Sequence, residues 1–264
     1  MHFFDLADIV DDIYILALCF VRIIFVFLFI PPLDSKMLGG AMVRNAIVIT
    51  FCLFTFPVIE NQLSDITLNK ISFSVIILQE MIIGSMYGFF ISLPFTMVNI
   101  FGSIIDVQRG SQNAQIHNVS SGGSSTEMTV FFGVCFSYIF FVLGPFTIAM
   151  KIILFSYHHI PINSFLINLN EYVLISIAQG FQSAMMSALT FVIPIIMVIF
   201  FVDLGLGLTN RFIPQLQVFI LSMPIKSITG VFMSLVLLKS TTCNIISYTF
   251  EKLYFVEELH RFLL

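Results

Sequence analysis

Long apolar runs without a charged side chain constrain this sequence more than any other feature. Met128–Met150 and Tyr172–Val202 contain no Asp, Glu, Lys or Arg, and a run of 18 or more apolar residues is long enough for a membrane-spanning helix. Of the 264 residues, 58% are hydrophobic and 10% are charged, whereas a soluble domain carries about 25% charged residues. The sequence therefore predicts an all-α, polytopic membrane protein or a subunit of a membrane complex.

About six apolar segments are expected to form long, proline-kinked helices. They are Ile13–Ile30, Met42–Ile59, Ile71–Ile105, Met128–Met150, Tyr172–Val202 and Gln215–Leu238. The third and fifth segments exceed the roughly 20 residues that cross a ~30 Å hydrocarbon core. Pro94 and Gly102 in the third segment, and Pro194 in the fifth, are expected to kink these helices. The third could instead divide into a helix and a re-entrant piece.

The sequence offers no constellation for catalysis, metal binding or nucleotide binding. It has no HExxH, G-x-S-x-G or P-loop motif, and its four cysteines lack CxxC or metal-ligand spacing. The adjacent His158 and His159 would point about 100° apart on a helix and so would not chelate one metal. With 11 basic and 15 acidic residues, the chain has no basic patch for nucleic acid. We therefore expect no enzyme, no cofactor and no nucleic-acid partner.

A polar loop from Asp106 to Glu127 separates the third and fourth apolar segments. It follows the motif IIDVQRG, at Ile104–Gly110, and continues as SQNAQIHNVSSGGSS. This composition provides many hydrogen-bonding groups and little to pack, which suits a flexible element lining a wet cavity. An exposed connector at the membrane boundary fits equally well, so composition alone leaves both interpretations open.

Glu80 is the one charged residue in the third segment and lies ten residues into an apolar run. A carboxylate in such a place must be paired, hydrogen-bonded or protonated. One interpretation is an ion pair at a subunit contact, with Arg22, Arg44 or Lys226 as candidate partners. The other is a proton-relay site. Pairing is favoured, because no second intramembrane acid stands at helical spacing to continue a relay.

Val202–Lys226, which reads VDLGLGLTNRFIPQLQVFILSMPIK, places several polar and charged residues between two apolar segments. A charge held in lipid costs about 2.5–3.5 kcal/mol on insertion scales, so such groups usually face protein or a wet cavity. Asp203 and Arg211 lie eight residues apart. They would pair across a short turn if Gly205 and Gly207 broke the helix.

Three sequence islands, in matching order, resemble one family. VRNAIVI at Val43–Ile49, IIDVQRG at Ile104–Gly110 and the stretch Val202–Lys226 are similar to the SctT/SpaR family. This family is the inner-membrane export-apparatus subunit of type III secretion, and flagellar FliR is related to it. The resemblance extends from about Arg22 to about Gly230.

The resemblance implies a non-enzymatic, multi-pass protein of the bacterial inner membrane, at the base of a secretion apparatus. It implies assembly with SctR and SctS homologues into a helical, cone-shaped export gate for unfolded effector and translocator proteins. SctU and SctV homologues would be further partners, in addition to membrane lipid. Residues 1–264 would form a single SctT/FliR-like domain, with a C-terminal helical hairpin region at about 172–239.

The resemblance also implies that the polar loop, at about 106–127, is a plug that occludes the closed export pore. The residues assigned to the loop and its motif are Asp106, Gln108, Arg109, Gly110, Ser111, Gln112, Ser120, Gly122 and Gly123. Substitutions among them are expected to cause ion leakage without loss of assembly.

A second set of residues is expected at subunit interfaces or in buried polar contacts, because polar groups between helices in lipid promote association. The set comprises Arg22, Arg44, Glu80, Asp203, Arg211, Pro214, Gln215, Pro224 and Lys226. From Arg211 to Lys226 the sequence has the family pattern R..PQ..VF...P.K, with Gln217 where the family usually has Asn.

Other functions also fit the sequence. The QRG at Gln108–Gly110 and the order of VRNAIVI favour the virulence branch over flagellar FliR. A stand-alone proton-coupled secondary transporter would use kinked helices around Pro94 and Pro194, with Glu80 as its proton site. A purely structural scaffold would make substitutions in the polar loop silent.

Overall fold

Helices make up almost all of the described structure. A computed structural model describes residues 6–35, 37–63, 70–110, 116–118, 123–160, 171–213 and 218–263. The α-helices in those ranges are α1 Leu6–Phe29, α2 Ala41–Leu63, α3 Lys70–Arg109, α4 Glu127–Val142, α5 Pro145–His159, α6 Glu171–Phe212 and α7 Val218–Leu263. The prediction of an all-α protein is confirmed.

Two short elements lie between these helices. A 3-10 turn at Pro31–Leu33 follows α1. Strand β1, Ile116–Asn118, pairs with antiparallel strand β2, Gly123–Ser125, with Ile116 opposite Ser125. This hairpin lies in the segment predicted to be a flexible loop, so part of that loop has regular structure that its polar composition does not indicate.

The internal prolines do not divide the long helices. Pro94 lies inside α3 and Pro194 lies inside α6, and each helix continues past its proline. The third segment therefore does not break into a helix and a re-entrant piece. A proline is tolerated in an apolar helix because neighbouring helices and local adjustments satisfy the backbone group that it frees.

The fourth predicted segment is two helices, α4 and α5. Gly144 separates them with a φ of 98°, a left-handed conformation that glycine adopts without the steric cost of a Cβ. Pro145 then occupies the first position of α5, where its fixed φ favours a new helix. Gly144-Pro145 thus ends one helix and begins the next, although the segment is uniformly apolar.

The fifth and sixth segments extend beyond their predicted ends. Helix α6 continues through Gly205 and Gly207 to Phe212, and α7 continues past Leu238 to Leu263. The two glycines therefore do not break the helix, which was the condition for a pair between Asp203 and Arg211. Each glycine costs a helix about 1 kcal/mol relative to alanine, which is less than an unsatisfied backbone group costs in apolar surroundings.

Two described helical stretches, Ser74–Arg109 and Ile175–Phe212, are long and apolar enough to cross a membrane. The number rises to four if each of two bent helix pairs counts as one span. These helices support a membrane protein with several long helical segments.

The chain divides into two compact units. The first consists of Met1–Ser92, Leu143–Gln179 and Glu251–Leu264. Its core contains a stripe along α1 whose members recur at helical spacing, so that one face of the helix is buried. The stripe consists of Ile15, Leu18, Cys19, Arg22, Ile23, Val26, Phe27 and Ile30. A charged residue, Arg22, is thus part of an otherwise apolar stripe.

The second unit consists of Leu93–Val142 and Gly180–Phe250. Here aromatic rings join α3 to α4, since the Phe95 ring centroid lies 4.7 Å from that of Phe136 and 4.9 Å from that of Phe140. Both pairs are edge-to-face, a geometry that adds about 0.5–1.5 kcal/mol to the burial of area. These phenylalanines are part of the core of the second unit.

Candidate functional site

The first unit contains a fully buried ion pair between Arg22 on α1 and Glu80 on α3. Arg22 Nε donates to Glu80 Oε2 at 2.5 Å, and Arg22 Nη2 donates to Glu80 Oε1 at 2.7 Å. Neither residue is exposed. Both carboxylate oxygens are therefore bound in the bidentate geometry that makes Arg–carboxylate pairs strong.

Residues of α5 and Ile160, which directly follows it, complete the surroundings of Arg22. Its Nη1 donates to Ser156 Oγ and its Nη2 to the Ile160 carbonyl, each at 3.2 Å. The Tyr157 ring centroid lies 4.1 Å from the guanidinium carbon, within the range of a cation–π contact. Arg22 thus joins α1, α3 and α5, and its charge is compensated within the chain.

Two glycines on α3 make this pair possible. Gly84 and Gly88 follow Glu80 at four-residue intervals, so all three lie on one helix face. A Cβ at Gly84 would lie 2.5 Å from the Arg22 carbonyl oxygen, and one at Gly88 would lie 3.0 Å from Phe29 Cβ. The small residues therefore let α1 and α3 approach closely. The sequence carries this signal as the G-x-x-x-G spacing of Gly84 and Gly88, neither of which is among the predicted site residues.

Among the three candidate partners of Glu80, the structure places Arg22 beside it. The pair is formed within the chain and not between subunits. Arg44 is half-buried in the first turn of α2, and Lys226 pairs with another residue. Both carboxylate oxygens of Glu80 accept hydrogen bonds from the Arg22 guanidinium, an arrangement that fits a structural ion pair better than a proton-relay site.

The residues predicted to begin the polar loop lie instead in the last turn of α3. Asp106 and Arg109 are buried, whereas Gln108 between them is exposed. Gly110 ends the helix with a φ of 78°, and its N–H donates to the Val107 carbonyl. The loop thus begins about four residues later than the sequence predicts, because the polar side chains at its start are satisfied by tertiary contacts.

Asp106 holds the two ends of the loop together. One carboxylate oxygen accepts a hydrogen bond from Arg109. The other accepts from the backbone N–H groups of Met128 and Thr129, at 2.9 and 3.2 Å. Asp106 therefore caps the N-terminus of α4, which satisfies donors that a helix leaves free and places a negative charge where the helix dipole favours it.

The close approach of α3 and α4 depends on Gly102. A Cβ there would lie 2.6 Å from Thr129 Cα, a distance that no side chain could occupy without moving the backbone. Gly102 precedes Asp106 by four residues and lies on the same helix face. A glycine four residues from a buried carboxylate thus occurs twice on α3, as Glu80 with Gly84 and as Gly102 with Asp106.

Arg109 connects this loop base to α7. Its Nη1 donates to Ser227 Oγ at 3.2 Å, and its Nη2 lies 3.5 Å from Glu127 Oε2. A Cβ built on Gly230 would lie 2.9 Å from both Cγ and Cδ of Arg109. We call Asp106, Arg109, Glu127, Ser227 and Gly230 the loop-base cluster.

The remaining predicted loop residues are only partly described. Gly123 begins strand β2. The others, Ser111, Gln112, Ser120 and Gly122, lie outside the described residues.

The condition for a pair between Asp203 and Arg211 is not met, because α6 is helical through Gly205 and Gly207. Asp203 Oδ1 instead lies 2.5 Å from Nζ of Lys226 on α7. Arg211 and Pro224 are exposed. Pro214 and Gln215 lie outside the described residues. Among the described residues of this part of the predicted interface set, the structure brings Asp203 and Lys226 together.

Comparison with known proteins gives the family of the chain. Residues 13–253 match the profile of "Bacterial export proteins, family 1". The chain belongs to this family. It is 30% identical to Yop proteins translocation protein T of Yersinia pestis over 201 residues, which cover 76% of this chain and 77% of that protein.

Other relatives come from secretion and flagellar systems. The export protein is 31% identical to surface presentation of antigens protein SpaR of Salmonella typhimurium, over 80% of this chain and 78% of the relative. It is 24% identical to flagellar biosynthetic protein FliR of Caulobacter vibrioides, over 83% and 86% respectively. The resemblance to the SctT/SpaR family, related to FliR, is confirmed.

Family membership fixes the broad role of this export protein. Members are structural components of an export apparatus, so the chain is not an enzyme. Its apolar helices make it a membrane protein. Within the described residues, no group of three or more His, Cys, Asp or Glu side chains could hold a metal ion.

Proposed function

We propose that this chain is the SctT-type subunit of the inner-membrane export gate of a type III protein secretion system, and that the loop between α3 and α4 plugs the closed channel. The observation that carries the plug is the double contact of Asp106, which bonds to Arg109 at the end of α3 and to Met128 and Thr129 at the start of α4. The end of α3 and the start of α4, between which residues 110–126 lie, are thereby held together.

The chemistry of this segment fits a plug in a wet channel. Irregular polar backbone is tolerated at membrane depth where it is buried in protein or lines a water-filled cavity. In the hairpin, strands β1 and β2 satisfy part of each other's backbone hydrogen-bonding groups. These groups therefore do not depend on water. A polar segment closed at its base can fill an aqueous path and leave it as a unit.

The exposed face of α6 supports assembly with SctR and SctS homologues. Large apolar side chains cover that face, including Ile193, Met197, Phe200, Phe201 and Leu204. Exposed apolar surface of this extent marks a contact with lipid or with another protein. We also propose SctU and SctV homologues as further partners of this chain, and effector and translocator polypeptides as the cargo that passes through the channel.

Sequence identity favours a secretion system over a flagellum. The Yop translocation protein T and SpaR relatives are 30% and 31% identical to the chain, against 24% for FliR of Caulobacter vibrioides and 26%, over 60% of the chain, for FliR of Buchnera aphidicola. The buried pair of Arg22 and Glu80 argues against the stand-alone transporter, since it leaves no free carboxylate at the proposed proton site.

Replacing the loop tests the plug. We expect that a complex in which a short Gly-Ser linker replaces residues 112–124 still assembles, but conducts ions when reconstituted in liposomes. The unchanged complex should remain closed. A matched control inserts the same linker after Leu38, in the connection between α1 and α2. A loop-replaced complex that assembles and stays as closed as the unchanged one would contradict the plug.

A further inference from the structure

The loop-base cluster reaches α7, and this contact has no role in a plug that is simply a closed segment. Asp106 ties the end of α3 to the start of α4 through the N–H groups of Met128 and Thr129. Arg109 adds a link to a third helix, through Ser227 Oγ and the surface of Gly230. A loop base that only marked a membrane boundary would need neither the contact with Ser227 nor the contact with Gly230.

We propose that Arg109 is a positioning residue that couples the loop to α7, so that displacement of α7 at Ser227 and Gly230 releases the loop. The inference rests on the proposed plug and names the element that controls it. The side chain of Arg109 is 2% exposed, so it is enclosed by neighbouring residues and has little room to shift when α7 moves. If α7 moves, Arg109 must move within the cluster or lose its contact with Ser227.

The glycine at position 230 is what makes the coupling tight. The Arg109 stem occupies the space where a Cβ of residue 230 would stand, at 2.9 Å from two stem carbons. Such a distance is too short for a normal contact, so any larger residue must push the stem aside. Because the stem carries the guanidinium that binds Asp106, a change on α7 is transmitted to the residue that closes the loop.

The same turn of α7 is also attached to α6. Lys226, next to Ser227, pairs with Asp203 at 2.5 Å. Residues 226, 227 and 230 thus link α7 to α6 on one side and to the loop base on the other. A force that moves α7 relative to α6 acts where Arg109 is attached. The second unit therefore contains a continuous set of contacts from α6 to the loop.

Labelling of a cysteine in the loop tests the coupling without relying on the plug. The protein is the full complex with Gln112→Cys, in a background with Cys135→Ser and Cys243→Ser. The rate of reaction with a membrane-impermeant maleimide is measured. Gly230→Ala and Ser227→Ala should each raise this rate at least about fivefold, the lower end of typical coupling between sites. Both variants leave the charges of Asp106 and Arg109 in place.

Gly205→Ala is the matched control. It lies on a helix of the same unit, but a Cβ there would meet nothing within 4 Å. Both glycine substitutions gain the same helix propensity, so only Gly230→Ala perturbs Arg109. The labelling rate of Gly205→Ala should equal that of the unchanged complex. Equal rates in Gly230→Ala and Gly205→Ala would overturn the proposal.

Arg109→Ala completes the test by asking whether Gly230 acts through Arg109. In the Arg109→Ala background, Gly230→Ala should add nothing to the labelling rate, because residues of one network are not additive. Additive effects would overturn the coupling, since a residue with a merely structural role would give them. The ion leak of the loop-replaced complex tests the plug separately, and a complex that does not leak contradicts the plug. The labelling rates alone decide whether Arg109 couples the loop to α7.

Discussion

At the scale of the residue, burial decides what a charged side chain contributes. Arg22 and Glu80 are completely buried and bind each other in two places, whereas the side chains of Asp203 and Lys226 are 42% and 22% exposed. Removing one member of a buried pair leaves an uncompensated charge, while exposed pairs contribute little. The two ion pairs are therefore expected to differ greatly in their effect on stability.

Glu80→Gln should lower the free energy of unfolding by about 3–5 kcal/mol, because Arg22 would remain buried without its counter-charge. Lys226→Ala, in the partly exposed pair, should lower it by at most about 1 kcal/mol. Unfolding of the purified chain by denaturant in mixed micelles measures both values. The account would be wrong if the two substitutions cost the same, or if Glu80→Gln left stability unchanged and abolished only proton-dependent transport.

At the scale of the element, glycines set the distances at which helices meet. Gly84 lies against the backbone of Arg22, and Gly102 lies against that of Thr129. Each is four residues from a carboxylate that binds an arginine. In the absence of a hydrophobic driving force between helices in lipid, such close approach and the polar contacts it permits hold helices together.

Gly84→Ala should destabilise the first unit by about 1–3 kcal/mol, the usual cost of overpacking. Its Cβ would lie 2.5 Å from the Arg22 carbonyl oxygen, so α1 and α3 would have to separate and the ion pair of Arg22 would lengthen. Gly207→Ala, where a Cβ meets nothing within 4 Å, is the control. Thermal unfolding of the two variants in detergent measures the difference, and equal melting temperatures would refute the close-packing argument.

The helices themselves could be predicted from the sequence, because each apolar run demands internal hydrogen bonding in lipid. The partner of Glu80 could be narrowed to three basic residues, because a carboxylate in an apolar run needs a counter-charge or a hydrogen-bond donor. The cap that Asp106 provides to α4 could not be predicted, since it joins residues 22 positions apart through a contact that exists only after α3 and α4 have packed. The pairing of Asp203 with Lys226 could not be predicted either, since it depends on how α6 packs against α7.

At the scale of the whole molecule, the chain exposes more apolar surface than a protein in water could sustain. Phe200, Phe201, Leu208 and Phe212 all lie outward on α6. Such a surface must be covered by lipid or by other subunits. Since the chain belongs to a family of export-apparatus proteins, we expect that subunits cover part of it.

Native mass spectrometry of the chain co-expressed with its SctR and SctS homologues tests the central claim, which is membership of an export gate. We predict a discrete hetero-oligomer that contains one copy of this chain after extraction in detergent. The loop-replaced variant should give the same mass pattern, reduced only by the mass of the loop. A chain that purifies alone, is stable, and has no affinity for either homologue would contradict the export gate.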